Sequence, residues 1–265
     1  MSQPTQPRPS RLARLRRRAS GALALGVALG AVGAGYAVLA PASYAQDDAN
    51  QSVDVRMGEQ LYNEGCVTCH GRNLQGVHDR GPSLIGVGEA SVYFQVSTGR
   101  MPATRQEAQV AAKKPRYNQE QVNQIAAYVQ ANGGGPVVPS GDLRDGDVAE
   151  GGELFRLNCA SCHNFAGRGG ALSSGKVAPS LANASDKIIY TAMLTGPQNM
   201  PVFSDNQITP EQKRSIINYV QTLKDTNDPG GNGLGREGPV PEGLVIWVVG
   251  IGGLVGALLW IGAKA

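Results

Sequence analysis

One pentapeptide pattern constrains this chain more than any other feature. Cys-x-x-Cys-His is written at 66–70 and again at 159–163, 93 residues further on. The two copies use all four cysteines of the 265-residue chain. They also sit at matching points of a longer repeat. Ahead of the cysteines, Gly58 matches Gly151, Leu61 matches Leu154 and Tyr62 matches Phe155. Behind them, Pro82-Ser83-Leu84 matches Pro179-Ser180-Leu181, and Met101-Pro102 matches Met200-Pro201. Tyr128-Val129-Gln130 matches Tyr219-Val220-Gln221 near the end of each unit. The chain writes one small unit twice.

Two thiols separated by two residues, with a histidine directly after, form the attachment signature of c-type haem. Each thiol forms a thioether to a haem vinyl group, and the adjacent imidazole ligates the iron from below. The reading assigns covalent attachment to Cys66, Cys69, Cys159 and Cys162, with His70 and His163 as axial ligands of two haem c groups. Rival uses of these residues account for less. A closed zinc site takes four ligands, and each unit offers two Cys and one His. A redox disulfide is permitted outside the cytoplasm, but it leaves the histidine and the downstream Met-Pro without a role.

Met101 and Met200 follow His70 and His163 by 31 and 37 residues. Thioether sulfur is a soft ligand, and His/Met ligation raises a haem potential. The recurrence assigns Met101 and Met200 as the sixth ligands, and the following proline keeps each ligand segment out of helix. Met57 and Met193 are expected to pack in cores. His78 lies in a polar, turn-like stretch and is expected to be solvated. Arg100, beside Met101, is read either as a partner for a haem propionate or as an exposed cation.

The units read as mostly helical. Asn118-Gln119-Glu120-Gln121 and Thr209-Pro210-Glu211-Gln212 both carry the capping-box pattern that starts a helix. Val122, Ile125, Ala126 and Val129 share one helical face, as do Ile216, Val220 and Leu223. Opening helices are expected over about 54–64 and 148–158. The fold expected is mostly α: two tandem small class I cytochrome c-like domains and a C-terminal transmembrane helix. The boundaries read are 50–132 for the first domain, 133–147 for a linker, 148–225 for the second domain and 226–243 for a second linker. Between Met and Tyr-Val-Gln the first unit carries eight residues more than the second, around 104–116. The second unit is longer between His163 and Pro179. The excess near Lys113 and Lys114 is expected to contact a neighbouring subunit.

Both ends point to a membrane. Residues 244–263 contain 20 residues without a charge, enough for a helix of about 30 Å, the hydrocarbon thickness. Trp247 and Trp260 lie toward its ends, and Lys264 suits a cytoplasmic end. Residues 1–45 read as a signal peptide or an N-terminal membrane anchor, with Ser43-Tyr44-Ala45 fitting a cleavage site. Arg8, Arg11, Arg14, Arg16, Arg17 and Arg18 precede any acidic residue. Without them the formal charge of +3 becomes slightly negative, which gives nucleic-acid binding no support. The haem domains are expected on the extracytoplasmic face of the cell membrane.

Beyond these motifs the chain resembles a known family, the dihaem cytochrome c subunit of the actinobacterial cytochrome bc1 (bcc) complex. The likeness runs through "CVTCHGRNLQGV", "GPSLIGVGEASVYFQVSTGRMPA", "AYVQANGGGP", "LFRLNCASCHNF", "GGALSSGK", "AMLTGPQNMP" and "LWIGAKA". It covers nearly all of residues 55–265. The resemblance implies a subunit of a menaquinol–cytochrome c reductase, with a cytochrome b subunit, a Rieske iron–sulfur subunit and an aa3-type cytochrome c oxidase as partners. It implies electron passage from the Rieske protein to the first haem, then the second, then the oxidase. No independent catalysis and no catalytic residue are expected. The alternatives are a dihaem subunit of another respiratory oxidase or dehydrogenase, and a dihaem peroxidase.

Overall fold

The computed structural model describes residues 11–39, 53–226, 234, 236 and 239–264, and the chain divides after Gln51 into two units. The first unit contributes helix α1 (Arg11–Leu39), which contains the apolar stretch Ser20–Ala34. The proposed cleavage motif at Ser43-Tyr44-Ala45 lies outside the described residues.

In the second unit the repeat becomes two helical domains. The first contains α2 (Val53–Gly65), α3 (Val67–His70), α4 (Gly88–Ser97) and α5 (Gln119–Gly133). The second contains α6 (Val148–Asn158), α7 (Ala160–His163), α8 (Asp186–Thr195) and α9 (Pro210–Asp225). It also carries a short antiparallel pair, β1 (Gly170–Ala171) and β2 (Val177–Ala178), in the register Gly170 to Ala178. Both closing helices start at complete capping boxes. Asn118 and Gln121 satisfy each other's backbone N–H at the head of α5, and Thr209 and Gln212 do so at α9.

Opening and closing helices pack in pairs, α2 on α5 and α6 on α9. The repeated glycines make each crossing possible. A Cβ on Gly58 would lie 1.9 Å from the Gln124 carbonyl oxygen, and one on Gly151 would lie 1.9 Å from that of Ser215. Gln124 and Ser215 occupy the same position of their helices. One turn further on, Tyr62 meets Tyr128 with ring centroids 5.2 Å apart, and Phe155 meets Tyr219 at 5.5 Å. Tilted aromatic pairs of this kind add about 0.5–1.5 kcal/mol beyond the area they bury. Val122, Ile125, Ala126 and Val129 line the first core; Ile216, Ile217 and Val220 line the second. Leu223 is only partly buried.

Met193 is buried in the second core. Met57 is a correction: it is 41% exposed. The inner face of α2 runs through Gly58, Leu61, Tyr62 and Gly65, and Met57 stands one residue, about 100°, away from it.

The linker between the domains is irregular but docked. The Ala90 N–H donates to the Pro136 carbonyl at 3.0 Å, and the Val138 N–H donates to the Glu89 carboxylate at 3.2 Å. Val138 packs on the first core, while Leu143 is buried in the second. The domains also touch directly. α4 packs on α8, Ile188 lies against the first core, and the Lys187 ammonium sits 5.8 Å from the Tyr93 ring centroid.

The two loop excesses meet each other. Gln109 Nε2 donates to the Val177 carbonyl at 2.7 Å, and the Val177 N–H donates to Gln109 Oε1 at 3.0 Å. β2 is an edge strand with unpaired main-chain groups, and the Gln109 carboxamide pairs with one residue of that edge as a neighbouring strand would. Gln198 Nε2 adds a bond to the Val110 carbonyl at 2.8 Å. Within the chain, this excess contacts the second domain.

Helix α10 (Pro239–Gly262) ends the described chain. Its Val240–Gly262 stretch of 23 residues has a mean hydropathy of 2.4 and none of it is buried by the protein. It is long and apolar enough to cross a membrane.

Candidate haem-attachment sites

Each Cys-x-x-Cys-His motif folds as a single tight turn directly after the opening helix. The Cys69 and His70 N–H groups donate to the Cys66 carbonyl at 3.1 and 3.0 Å. In the second domain the Cys162 and His163 N–H groups donate to the Cys159 carbonyl at 3.1 and 2.9 Å. The histidine carbonyl is then capped from six residues on, by Gly76 in one domain and Gly169 in the other, at 2.8 Å each. Both glycines have φ near the left-handed region's upper part, +82° and +83°, and each is pressed against the Pro-Ser backbone. A side chain there would be strained and would collide.

The histidines are oriented by the repeated Pro-Ser-Leu. His70 Nδ1 donates to the Pro82 carbonyl at 2.8 Å, and His163 Nδ1 donates to the Pro179 carbonyl at 3.0 Å. A carbonyl can only accept, so the proton sits on Nδ1 and the Nε2 lone pair is free for a metal. Burial pushes the His163 pKa down, partly opposed by the Pro179 carbonyl, which favours the neutral, ligating form.

Burial pushes the Cys66 thiol up to about 11, with Cys69 adding to the rise and Arg116 opposing it. Burial likewise pushes Cys159 up to about 12. Reactive Cys-x-x-Cys pairs in redox proteins have a lowered thiol; Cys66 and Cys159 are instead raised by burial. Met101 is partly buried against the first core, as is Cys66, and Met200 is partly buried against the second. Each domain therefore holds two thiols on one turn, a committed imidazole and a partly buried thioether. That donor set fits a covalently attached haem. Among the described residues no cluster of His, Cys, Asp and Glu suits another metal ion.

His78 is exposed and paired with Asp79 at 2.8 Å. Arg100 stacks its guanidinium 5.0 Å from the Phe94 ring centroid. The Pro82 and Pro179 carbonyls are functional groups that sequence reasoning missed. The recurrence of Pro-Ser-Leu at both sites was the available signal.

Residues 55–132 match the family model described as "Cytochrome c", and residues 146–220 match that of "Cytochrome C oxidase, cbb3-type, subunit III". The cytochrome bc1 complex cytochrome c subunit of Mycobacterium tuberculosis is 56% identical over 261 residues, covering 95% of this chain and 93% of the relative. This chain belongs to that family. The same subunit of Mycobacterium leprae is 58% identical, covering 92% of this chain and 87% of the relative. That of Corynebacterium diphtheriae is 52% identical, covering 95% and 96%. The fold is accordingly two cytochrome c domains in tandem with one apolar helix behind them, an electron-transfer component of a bc1 oxidoreductase. Cytochrome c domains of this family hold covalent haem c, and two domains are consistent with two groups.

Proposed function

We propose that this chain is a membrane-anchored relay carrying two haem c groups within a menaquinol-oxidising bc1 complex. Cys66 and Cys69 attach the first haem, with His70 and Met101 as axial ligands. Cys159 and Cys162 attach the second, with His163 and Met200 as axial ligands. Haem c held in this way supplies a one-electron iron couple at a potential raised by thioether ligation. The protein does the rest. The Pro82 and Pro179 carbonyls hold the imidazoles in the ligating tautomer, and Met101 and Met200 would close each iron to oxygen or peroxide. The first domain accepts electrons from the Rieske iron–sulfur protein, and the second delivers them to an aa3-type oxidase. Lys264 marks the cytoplasmic end of α10, so both domains stand on the extracytoplasmic face.

The observation that carries this reading is the same attachment turn, with the same His-to-Pro hydrogen bond, built twice in one chain. Purification in mild detergent tests it. The expected particle contains cytochrome b, a Rieske protein and two covalent haems on this chain, and neither of these two haems binds carbon monoxide when reduced. One covalent haem or none would overturn the reading, and strong carbon monoxide binding would favour a peroxidase. The cbb3-type match over residues 146–220 favours a second reading, a dihaem subunit of another respiratory oxidase. Co-purification with that oxidase's core, without cytochrome b, would support it.

A further inference from the structure

At the fourth position of α9 stands Lys213, with no exposed surface at all. The matching position of α5 holds Val122, also buried. In the first domain Tyr117, just before the cap, and Val122 both belong to the apolar core. This is the common arrangement in which the residue before a cap packs on the fourth helical residue. The second domain keeps the apolar residue before the cap, Ile208, but places an ammonium group where its partner belongs. A buried ammonium is costly unless it is paired and hydrogen-bonded.

Lys213 is both. Its Nζ donates to Asp205 Oδ1 at 2.6 Å and to the Ile208 carbonyl at 2.8 Å, and it lies 6.0 Å from the Tyr190 ring centroid. Both acceptors belong to the segment that runs from Met200 to the cap of α9. The two methionine segments are anchored by different means. In the first domain the Met101 N–H itself donates to the Gln95 carbonyl of α4 at 2.9 Å. Lys113 then ties the segment twice more, to the Thr98 carbonyl and to the Pro102 carbonyl. In the second domain the Met200 N–H bonds only locally, to the Pro197 carbonyl at 3.1 Å. The segment reaches α8 through the Phe203 N–H and α9 through Lys213.

We propose that Lys213 is a positioning residue for the second haem. Its ammonium, reaching from α9 to Asp205 and the Ile208 carbonyl, holds the segment that presents Met200 to the iron. The proposal rests on Met200 being an axial ligand. Lys213 is assigned to act through the Met200 segment, since its ammonium is engaged by Asp205 and the Ile208 carbonyl.

The test is Lys213→Met in the full chain, purified within its complex; this variant keeps the unbranched stem and removes the donors. The far-red sulfur-to-iron charge-transfer band of the oxidised protein is expected to fall toward half, because one methionine of two is released. Reduced variant is expected to bind carbon monoxide at one haem of the two. A full band without carbon monoxide binding would overturn the proposal. Should Lys213→Met not accumulate, Asp205→Ala removes one acceptor at an exposed position, and an unchanged band there overturns the proposal equally. Wild-type protein lacking the band would instead refute methionine ligation itself. The proposal fails alone when the wild type has the band and the variants keep it.

Discussion

The two domains differ least where their helices cross and most where their loops leave the crossing. Gly58 and Gly151, the paired rings beside them, the attachment turns and the histidine-to-proline bonds are the same device used twice. The segments that carry the methionines are not. One is long, tied by main-chain bonds to α4, and extended outward through Gln109. The other is short and held from within by a buried lysine. The frame around each histidine tolerates little change because backbone meets backbone there. The methionine side of each domain has been anchored by two unrelated solutions, and the two sides meet through Gln109 and Gln198.

The hardest strain on this comparison comes from the glycines. Glycine to alanine inside a helix ordinarily gains up to about 1 kcal/mol. At Gly58 and Gly151 the added carbon would fall 1.9 Å from a carbonyl oxygen of the facing helix. The helices would have to separate, so Gly58→Ala and Gly151→Ala should each cost about 3 kcal/mol, the upper end for overpacking. Denaturant unfolding of the purified chain, with haem absorbance and helical circular dichroism followed together, measures this. A large loss in one variant and none in the other would break the equivalence of the two crossings.

A smaller effect is expected at Gln109, where the domains diverge. Its carboxamide makes two hydrogen bonds to Val177, each worth about 1 kcal/mol net. Gln109→Ala should speed hydrogen exchange at the Val177 amide roughly thirtyfold, as about 2 kcal/mol implies, and leave the amides of α5 and α9 unchanged. Equal exchange in both proteins would show that the two loop excesses do not hold each other in solution.

What could be read from the sequence follows from the same division. Helix starts and core faces were legible because side-chain type recurs at a helical period and each cap has its own chemistry; Gly58 and Gly151 were legible only as matching positions of the repeat. The eight candidate haem residues were legible as a pattern, since Cys-x-x-Cys-His and Met-Pro occur twice. The proline carbonyls were not, because every residue has a carbonyl and only the folded loop aims one at a histidine. The pairing of Gln109 with β2 was hidden for a similar reason: each excess looked like an insertion, and nothing in either indicated the other. Lys213 reads as a break in an apolar stripe until Asp205 and Ile208 are seen around it. Met57 reads as a core residue by side-chain type alone, but its helical position turns it outward.

The smallest effect concerns acid. Glu211 lies in the first turn of α9. Its own backbone N–H holds its carboxyl below the usual value of 4.5, with further help from the Thr209 hydroxyl and Arg214. Arg214 reaches it at 3.2 Å and also pairs with Asp145 at 2.7 Å. In α5 the position of Arg214 is taken by Asn123, so this pair belongs to the second domain alone. A carboxyl lowered in the folded state binds its proton more readily when the chain unfolds. Its stabilisation is therefore fully present above pH 4.5 and is lost as the pH falls through the lower, folded value. Glu211→Gln should flatten the acid limb of stability in that window and change little near neutrality, since the group is fully exposed. Unfolding midpoints measured from neutral pH down to the acid limb check this. An acid limb as steep in the variant as in the wild type would remove Glu211 from the contrast and leave the loops and Lys213 to carry it.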